Sequence, residues 1–328
     1  MDSVHLFFSK DEKYLVNIYI EVSLYEIIGD SLMFKQQLGK LKNPDMVCFS
    51  EDGKRVAVKN NNNIIEVYDA LSGVRTFEGK GPREFGGRIF FADDNVLLSS
   101  TEKGTVYTVD ILSGKVNCYE IGSYDYMELV EINSCKYLIL SNERSSNVTD
   151  FHLLTFSGRE ASIKPLYSTS TALDTHSAAF YDDKLYAVSK DNELYVYGYN
   201  KEYDLLEPEK TISLLLQEDS EPFSDDTSEW VWNLIKSVDA DFSYPIFPIG
   251  ISATSNDKYI VVSFNTGIAV VDINEWKCER YTPTKYRISF VASTDNNSQI
   301  WFATSSGIKR CAVESVLNGV PPQEVEFF

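Results

Sequence analysis

The sequence contains few of the residues that most catalytic and metal sites require. Its 328 residues include only three histidines, and His5, His152 and His176 lie far apart in the chain. None of them belongs to an H-x-H, H-E-x-x-H or mixed Cys/His spacing of the kind that holds zinc. The sequence also has no G-x-S-x-G elbow and no P-loop. We therefore name no catalytic or metal-ligating residue and expect no cofactor, although single residues from distant segments could still meet in a folded site.

Paired cysteine motifs and long apolar runs are missing as well. Five cysteines are scattered without any C-x-x-C spacing, at Cys48, Cys118, Cys135, Cys278 and Cys311. Most lie in or beside predicted strands, where a free cysteine behaves as a small buried hydrophobic residue. No apolar run approaches the roughly 20 residues of a membrane-spanning helix, and the opening MDSVHLFFSKDEK lacks a secretory signal. These features predict five unpaired thiols in a cytoplasmic protein.

Basic residues are outnumbered by acidic ones. The chain has 30 Lys and Arg against 49 Asp and Glu, for a net charge of −19. Such a charge repels nucleic acid and anionic membranes, so neither is a predicted partner. A basic protein would instead be attracted and its association accelerated. The alternative is that the acidity serves only to keep the protein soluble.

The chain does contain an internal repeat. Residues 50–73, SEDGKRVAVKNNNNIIEVYDALSG, and residues 92–114, ADDNVLLSSTEKGTVYTVDILSG, share one order of turns and strands. Phe8, Phe49 and Phe91 stand in equivalent places, 41 and 42 residues apart. A period near 40 residues with four short strands per unit is typical of β-propeller blades. The four asparagines at 60–63 are then the turn between the second and third strands of one blade.

Extending the period predicts one all-β domain over residues 1–328, a seven-bladed β-propeller, although six or eight blades would also fit. The predicted blades cover 4–38, 46–79, 88–121, 127–166, 176–216, 248–282 and 287–328. The first blade begins at its inner strand and the chain ends in the short apolar run EVEFF. We therefore expect every blade to consist of consecutive strands, with the last blade packed on the first. Phe327 and Phe328 should then be paired and partly buried.

The repeat resembles a known family. The phrase FSEDGKRVAV, followed by IIEVYDALSG, is similar to blades of WD-repeat and related bacterial YVTN-like propellers. Asp69, Asp110 and Asp272 stand where that family has the aspartate of its Trp-Asp dipeptide. The resemblance implies the propeller fold. It implies no activity, because propellers include scaffolds, enzymes and sensors, and the missing Gly-His dipeptide removes the family's histidine–aspartate network.

One segment interrupts the repeat between the fifth and sixth predicted blades. Residues 217–247 form an insertion with eight carboxylates between 217 and 241 and only one lysine there, Lys236. Asp226 and Glu229 have the spacing of a helix start, which predicts a short helix near 226–238. Trp230 lies on the apolar stripe of that helix and should be buried. Trp232 lies away from the stripe and should be exposed.

The insertion supplies the candidate partner-binding residues, because long loops on a rigid scaffold often carry function. They are Asp219, Glu221, Asp225, Asp226, Glu229 and Trp232. Under the first hypothesis the protein is a non-catalytic propeller that presents its loops and this insertion to a basic protein partner, and it could be an inhibitor or immunity factor. The alternative is an enzyme or small-molecule sensor with its site at the mouth of the central channel.

A glycine-rich run, GKGPREFGGR at 79–88, is the remaining candidate site. Lys80, Arg83 and Arg88 could bind a phosphate or a carboxylate there. No helix is predicted after the run to add its dipole, so a connection between two blades is the favoured interpretation.

Overall fold

The computed structural model describes most of the chain. The described residues are 5–9, 11–18, 21–29, 31–84, 86–101, 104–120, 127–132, 136–143, 148–157, 160–169, 173–189, 192–203, 205–214, 248–253, 258–264, 267–283, 288–293, 299–304, 307–318, 320 and 323–327.

The described strands form one five-stranded sheet and six four-stranded sheets. The first sheet contains β1 (His5–Phe8), β2 (Tyr14–Ile18), β3 (Val22–Ile28), β4 (Ser31–Gln37) and the C-terminal β29 (Glu326–Phe327). The second contains β5 (Pro44–Phe49), β6 (Arg55–Asn60), β7 (Ile64–Asp69) and β8 (Arg75–Lys80). The third contains β9 (Gly86–Phe91), β10 (Val96–Thr101), β11 (Thr105–Asp110) and β12 (Val116–Glu120). The fourth contains β13 (Met127–Ile132), β14 (Lys136–Glu143), β15 (Val148–Ser157) and β16 (Glu160–Thr169).

The remaining sheets have the same order. The fifth contains β17 (Leu173–Tyr181), β18 (Lys184–Ser189), β19 (Glu193–Asn200) and β20 (Leu205–Ser213). The sixth contains β21 (Pro248–Ala253), β22 (Tyr259–Phe264), β23 (Gly267–Asp272) and β24 (Lys277–Pro283). The seventh contains β25 (Ile288–Ser293), β26 (Gln299–Thr304), β27 (Gly307–Ala312) and β28 (Gln323–Glu324).

The sheets are arranged radially around one axis, as in a β-propeller. The first strand of each sheet contacts the first strand of the next, and β25 contacts β1, so these inner strands close a ring. The second and third strands lie between two neighbouring sheets, which explains why β22 and β23 are almost wholly buried and apolar on both faces. In the outer strand β20, most residues are exposed and only two of the nine are buried. The strands begin and end within a few residues of the blades that the period predicts.

Two recurring turns explain the residues that carry the family resemblance. In the turn after the first strand, Ser50 Oγ donates to Asp52 Oδ1 at 2.7 Å and accepts the backbone N–H of Arg55 at 2.9 Å. In the turn after the third strand, the aspartate at the family's Trp-Asp position accepts backbone N–H groups of the turn. Asp110 accepts from Ser113 at 2.9 Å. The aspartate at this position thus serves here to close a hairpin.

We expect the Asp69 carboxylate to make stability depend on pH in acid. Hydrogen bonds from the hydroxyl and backbone N–H of Ser72, both at 2.7 Å, lower the pKa of Asp69 from its ordinary value. A carboxyl group with a lowered folded-state pKa contributes stability that is present above its unfolded pKa, about 3.9. That stability is lost as pH falls through the folded-state pKa. The Asp69→Asn variant should therefore be less stable than wild type at pH 7, and the difference should shrink by pH 2.5 in urea titrations. A difference that does not change with pH would contradict this role.

The C-terminus closes the ring differently from the sequence-based expectation. Strand β29 does not stay in the seventh sheet but pairs in parallel with β4, with Phe327 opposite Leu32 and Glu326 opposite Ser31. The expectation that every blade consists of consecutive strands is therefore wrong for the first sheet. The physical reason is that β4 has a free outer edge, and the chain crosses to it after Val325 becomes buried between the two sheets. Phe327 is paired as expected, and Phe328 lies outside the described residues.

The described part of the chain contains one helix, α1 (Val313–Leu317), which follows β27. The sequence analysis did not predict it. Val313 and Val316 are buried against apolar residues of the sixth and seventh sheets, and this packing stabilises a helix too short to form alone. The helix predicted near 226–238, with Trp230 and Trp232, lies outside the described residues.

We expect all five cysteines to be free thiols. Cys48, Cys118, Cys278 and Cys311 are unpaired, and Cys135 lies outside the described residues. Burial raises the pKa of the Cys311 thiol to about 12 and that of Cys278 to about 11, so both are poor nucleophiles when folded. Alkylation of the unfolded chain without reductant should add five labels by mass. Fewer labels would indicate a disulfide.

Candidate functional site

The sheet topology divides the turns between two faces of the ring. Consecutive strands in each sheet are antiparallel, so turns after second strands lie at the same end as connections after fourth strands. We call this end the connection face. Turns after the first and third strands form the opposite end, the hairpin face. Strand β20 ends and β21 begins at the connection face, so the described residues that flank the 217–247 insertion, Leu214 and Pro248, lie at this end.

The asparagine tract lies at the connection face. It is the turn between β6 and β7, which confirms the prediction. Asn60 Oδ1 accepts the backbone N–H groups of Asn62 and Ile64, each at 3.0 Å. Its Nδ2 donates to the carbonyl of Lys42 at 2.9 Å. The turn is therefore bonded to the connection between the first and second sheets.

The last residue of the tract, Asn63, bonds the turn to the next connection. It is fully buried and has a left-handed backbone, with φ of 55°. Its Nδ2 donates to the carbonyls of Pro82 at 3.0 Å and Glu84 at 2.6 Å, and its Oδ1 accepts the hydroxyl of Tyr107 at 3.0 Å. Gly81 N donates to the Asn63 carbonyl at 2.8 Å. The asparagine turn is thus bonded to the connection before its own sheet, to the connection after it, and to Tyr107 in the third sheet.

The glycine-rich run at 79–88 forms the end of β8, the connection and the start of β9, as favoured from the sequence. Lys80 and Arg83 are exposed, whereas Arg88 is half-buried in β9. The one carboxylate of this connection, Glu84, accepts the hydroxyl of Thr101 at 2.6 Å. The connection is held in place by these bonds and those from Asn63.

Sequence analysis missed a second pair of cations beside the same turn. Lys40 and Lys42 are exposed in the connection between the first and second sheets. The repeat could have revealed them, because Lys40 precedes Lys80 by 40 residues and Lys42 precedes Arg83 by 41.

The chain just before the insertion is held in the same way as the connection after β8. Leu214 N donates to the carbonyl of Asn192 at 3.1 Å, and Asn192 has a left-handed φ of 60° like Asn63. Leu214 itself is fully buried. The predicted partner-binding residues follow directly and lie outside the described residues. They are Asp219, Glu221, Asp225, Asp226, Glu229 and Trp232.

A cavity of about 370 Å³ lies along the inner strands of the first three sheets. Its walls are mostly apolar and aromatic, with Arg88 as the one charged side chain among the ten described lining residues. Cys48 also lines it, and burial raises the pKa of this thiol far above its ordinary value. Such walls suit an apolar group better than an ionic one.

Among the described residues, no helix is long and apolar enough to cross a membrane. Within the same residues, no group of three His, Cys, Asp or Glu side chains is placed to hold a metal ion.

Comparison with known proteins identifies the fold alone. No protein-family model matches the sequence, and no curated protein matches it either. Among solved structures, the chain is similar to the β-propeller domain of Cps50 (Swd1) from Myceliophteria thermophila, with a TM-score of 0.70 and 11% sequence identity. The match covers 95% of this chain and 97% of that one. The protein therefore has a WD-repeat-like β-propeller fold, as its sequence resemblance implied.

Proposed function

We propose that this protein is a non-catalytic binding propeller that receives a protein partner on its connection face. The observation that carries the proposal is the arrangement of that face. The asparagine turn, the connections it holds and the ends of β20 and β21 that flank the acidic insertion all lie there, on one closed ring. Loops fixed to a rigid scaffold lose little conformational entropy on binding, which favours affinity.

The acidic insertion is the proposed docking segment for a basic protein. Its carboxylates would steer a cationic partner, and Trp232 would be a contact residue of the type that dominates many interfaces. A toxin or nuclease neutralised by this protein would be one partner of that kind. The −19 net charge supports this choice because it accelerates association with a basic protein.

A comparison of two variants with equal charge change tests the proposal. In the first, four insertion carboxylates are replaced by amides: Asp219→Asn, Glu221→Gln, Asp225→Asn and Asp226→Asn. In the matched control, four exposed glutamates of the ring are replaced: Glu120→Gln, Glu202→Gln, Glu207→Gln and Glu314→Gln. Each protein is used to capture partners from its native cell extract at low and high salt.

We expect wild type and control to retain a basic protein at low salt that the insertion variant loses. Equal loss from both variants would mean that net charge alone attracts the partner. Retention of the same protein by the insertion variant would refute the docking segment. Trp232→Ala in the otherwise wild-type chain should reduce the affinity of that purified protein at least tenfold.

The channel cavity supports a second candidate function, the binding of a small ligand. Its size and apolar walls suit a small apolar molecule, and Arg88 could pair with an anionic group on it. Mass spectrometry of the native protein would identify such a ligand. The Arg88→Leu variant should then bind that ligand with lower affinity than wild type does. Recovery of no ligand from protein purified from its native cell would remove this candidate.

A further inference from the structure

We infer that four cations beside the asparagine turn form a binding site for an acidic peptide segment of a partner protein. The four are Lys40, Lys42, Lys80 and Arg83, and we call them the basic patch. This inference rests on the proposed function in using the same connection face, but it concerns a different surface and the opposite charge.

The hydrogen bonds of the asparagine turn show that the two halves of the basic patch are neighbours. Asn60 is bonded to the carbonyl of Lys42, and Asn63 is bonded to the carbonyl of Pro82, between Lys80 and Arg83. The four cations thus flank one turn of four residues. Both amides that hold them are buried, so the spacing of the cations is fixed by the fold.

The cations of the basic patch have no carboxylate partner among the described residues. Several other lysines of the chain are paired, since Lys35 bonds to Glu26 at 3.0 Å and Lys54 to Asp52 at 3.0 Å. What distinguishes the four is that they lie on two connections held by one turn. The one carboxylate of the connection after β8, Glu84, accepts the hydroxyl of Thr101 at 2.6 Å. Exposed cations left unpaired keep their full attraction for an anion from outside.

The chemistry around the basic patch favours carboxylates on an extended peptide. Asn61 and Asn62 are exposed between the two pairs of cations and offer amide donors beside the charges. An acidic peptide carries charges spaced along a chain, which matches two pairs of cations separated by a polar turn. A long polyanion such as nucleic acid would extend beyond the basic patch into the field of a protein with a net charge of −19.

Binding of a labelled peptide of ten glutamates to the purified protein tests this site without any cellular partner. Two patch variants are compared, Lys40→Glu with Lys42→Glu, and Lys80→Glu with Arg83→Glu. The control combines Lys115→Glu with Lys210→Glu, which changes the same charge at exposed lysines that form no ion pair with described residues. Folding of each variant is checked by its melting temperature, and having two patch variants guards against one that fails to fold.

We expect wild type to bind the glutamate peptide with an affinity that falls as salt rises, and a glutamine peptide not to bind. Each patch variant should bind at least tenfold more weakly, and the control less than twofold. Failure of wild type to bind, or equal weakening by the control, would overturn the site. Tighter binding of a ten-nucleotide single strand than of the peptide would also overturn it, in favour of a nucleic-acid site. None of these results depends on the insertion variant, so the site and the proposed function can fail separately.

Discussion

Replacing Asn63 by alanine should lower the free energy of unfolding by about 3 kcal/mol. The change removes an amide that makes three hydrogen bonds in a fully buried position. The Tyr107 hydroxyl is left without that partner in a buried site, and such groups cost about 1–3 kcal/mol. Alanine must also adopt the left-handed φ of 55°, which costs about 1 kcal/mol more. Urea unfolding followed by tryptophan fluorescence measures the effect.

The neighbouring asparagine provides the control for this substitution. Asn62 belongs to the same turn but is exposed, so Asn62→Ala should change stability by no more than about 0.5 kcal/mol. The second variant Asn63→Asp keeps an acceptor for Tyr107 but places a buried carboxylate against the Pro82 and Glu84 carbonyl oxygens, so at pH 7 it should destabilise the protein at least as much as Asn63→Ala. If Asn62→Ala and Asn63→Ala were equally stable, the asparagine turn would not hold the two connections.

Removing residues 323–328 should lower the melting temperature by about 5 °C. The deletion takes away β28, β29 and Val325, which is 5% exposed and packs between the first and seventh sheets. It also removes the bond from Val325 N to the Ile308 carbonyl at 3.1 Å and the pairing of β29 with β4. Burial of one valine and a few hydrogen bonds together contribute about 4 kcal/mol. For a chain of this length, that loss corresponds to the stated shift.

Two valine substitutions distinguish loss of ring closure from a general destabilisation caused by any change near the C-terminus. Val325→Ala should cost about 2 kcal/mol, because it opens a space in the interface between two sheets. Val320 is 45% exposed, and Val320→Ala should cost less than about 0.5 kcal/mol. An unchanged melting temperature after the deletion would mean that the C-terminal strand does not close the ring.

The sequence was sufficient to predict those parts of the fold that depend on local pattern. The strands of the second sheet alternate with turns whose residues, such as Gly53 and Asn63, tolerate left-handed angles. Repetition of that pattern every 40 or so residues then indicates the propeller. Short apolar runs with strong turn signals leave little freedom for another assignment.

The sequence could not predict contacts that depend on partners far along the chain. EVEFF has strand propensity, but nothing in it specifies the outer edge of β4, almost 300 residues earlier, as its partner. The helix α1 was missed for a similar reason, since its burial against the sixth sheet and not its own propensity stabilises it. Both features follow from closing the ring.

The candidate site was predictable in part for the same reasons. The turn at 60–63 and the inter-sheet connection at 79–88 follow from local pattern. The role of Asn63 does not, because its amide bonds to residues 19 and 21 positions later. The basic patch was visible only as two separate short cationic runs until the topology placed the connections beside one turn. The carboxylates from Asp219 to Glu229 and Trp232 stay a prediction from composition and spacing.

Hydrogen–deuterium exchange of the protein, alone and with its captured and purified partner, tests the central claim most directly. If the connection face receives the partner, protection should appear in peptides covering 39–43, 60–64 and 80–84 and in the 217–247 insertion. The hairpin-face turns at 70–74 and 111–115 should exchange equally in both samples. Protection confined to those hairpin turns, with the connection face unchanged, would contradict the account.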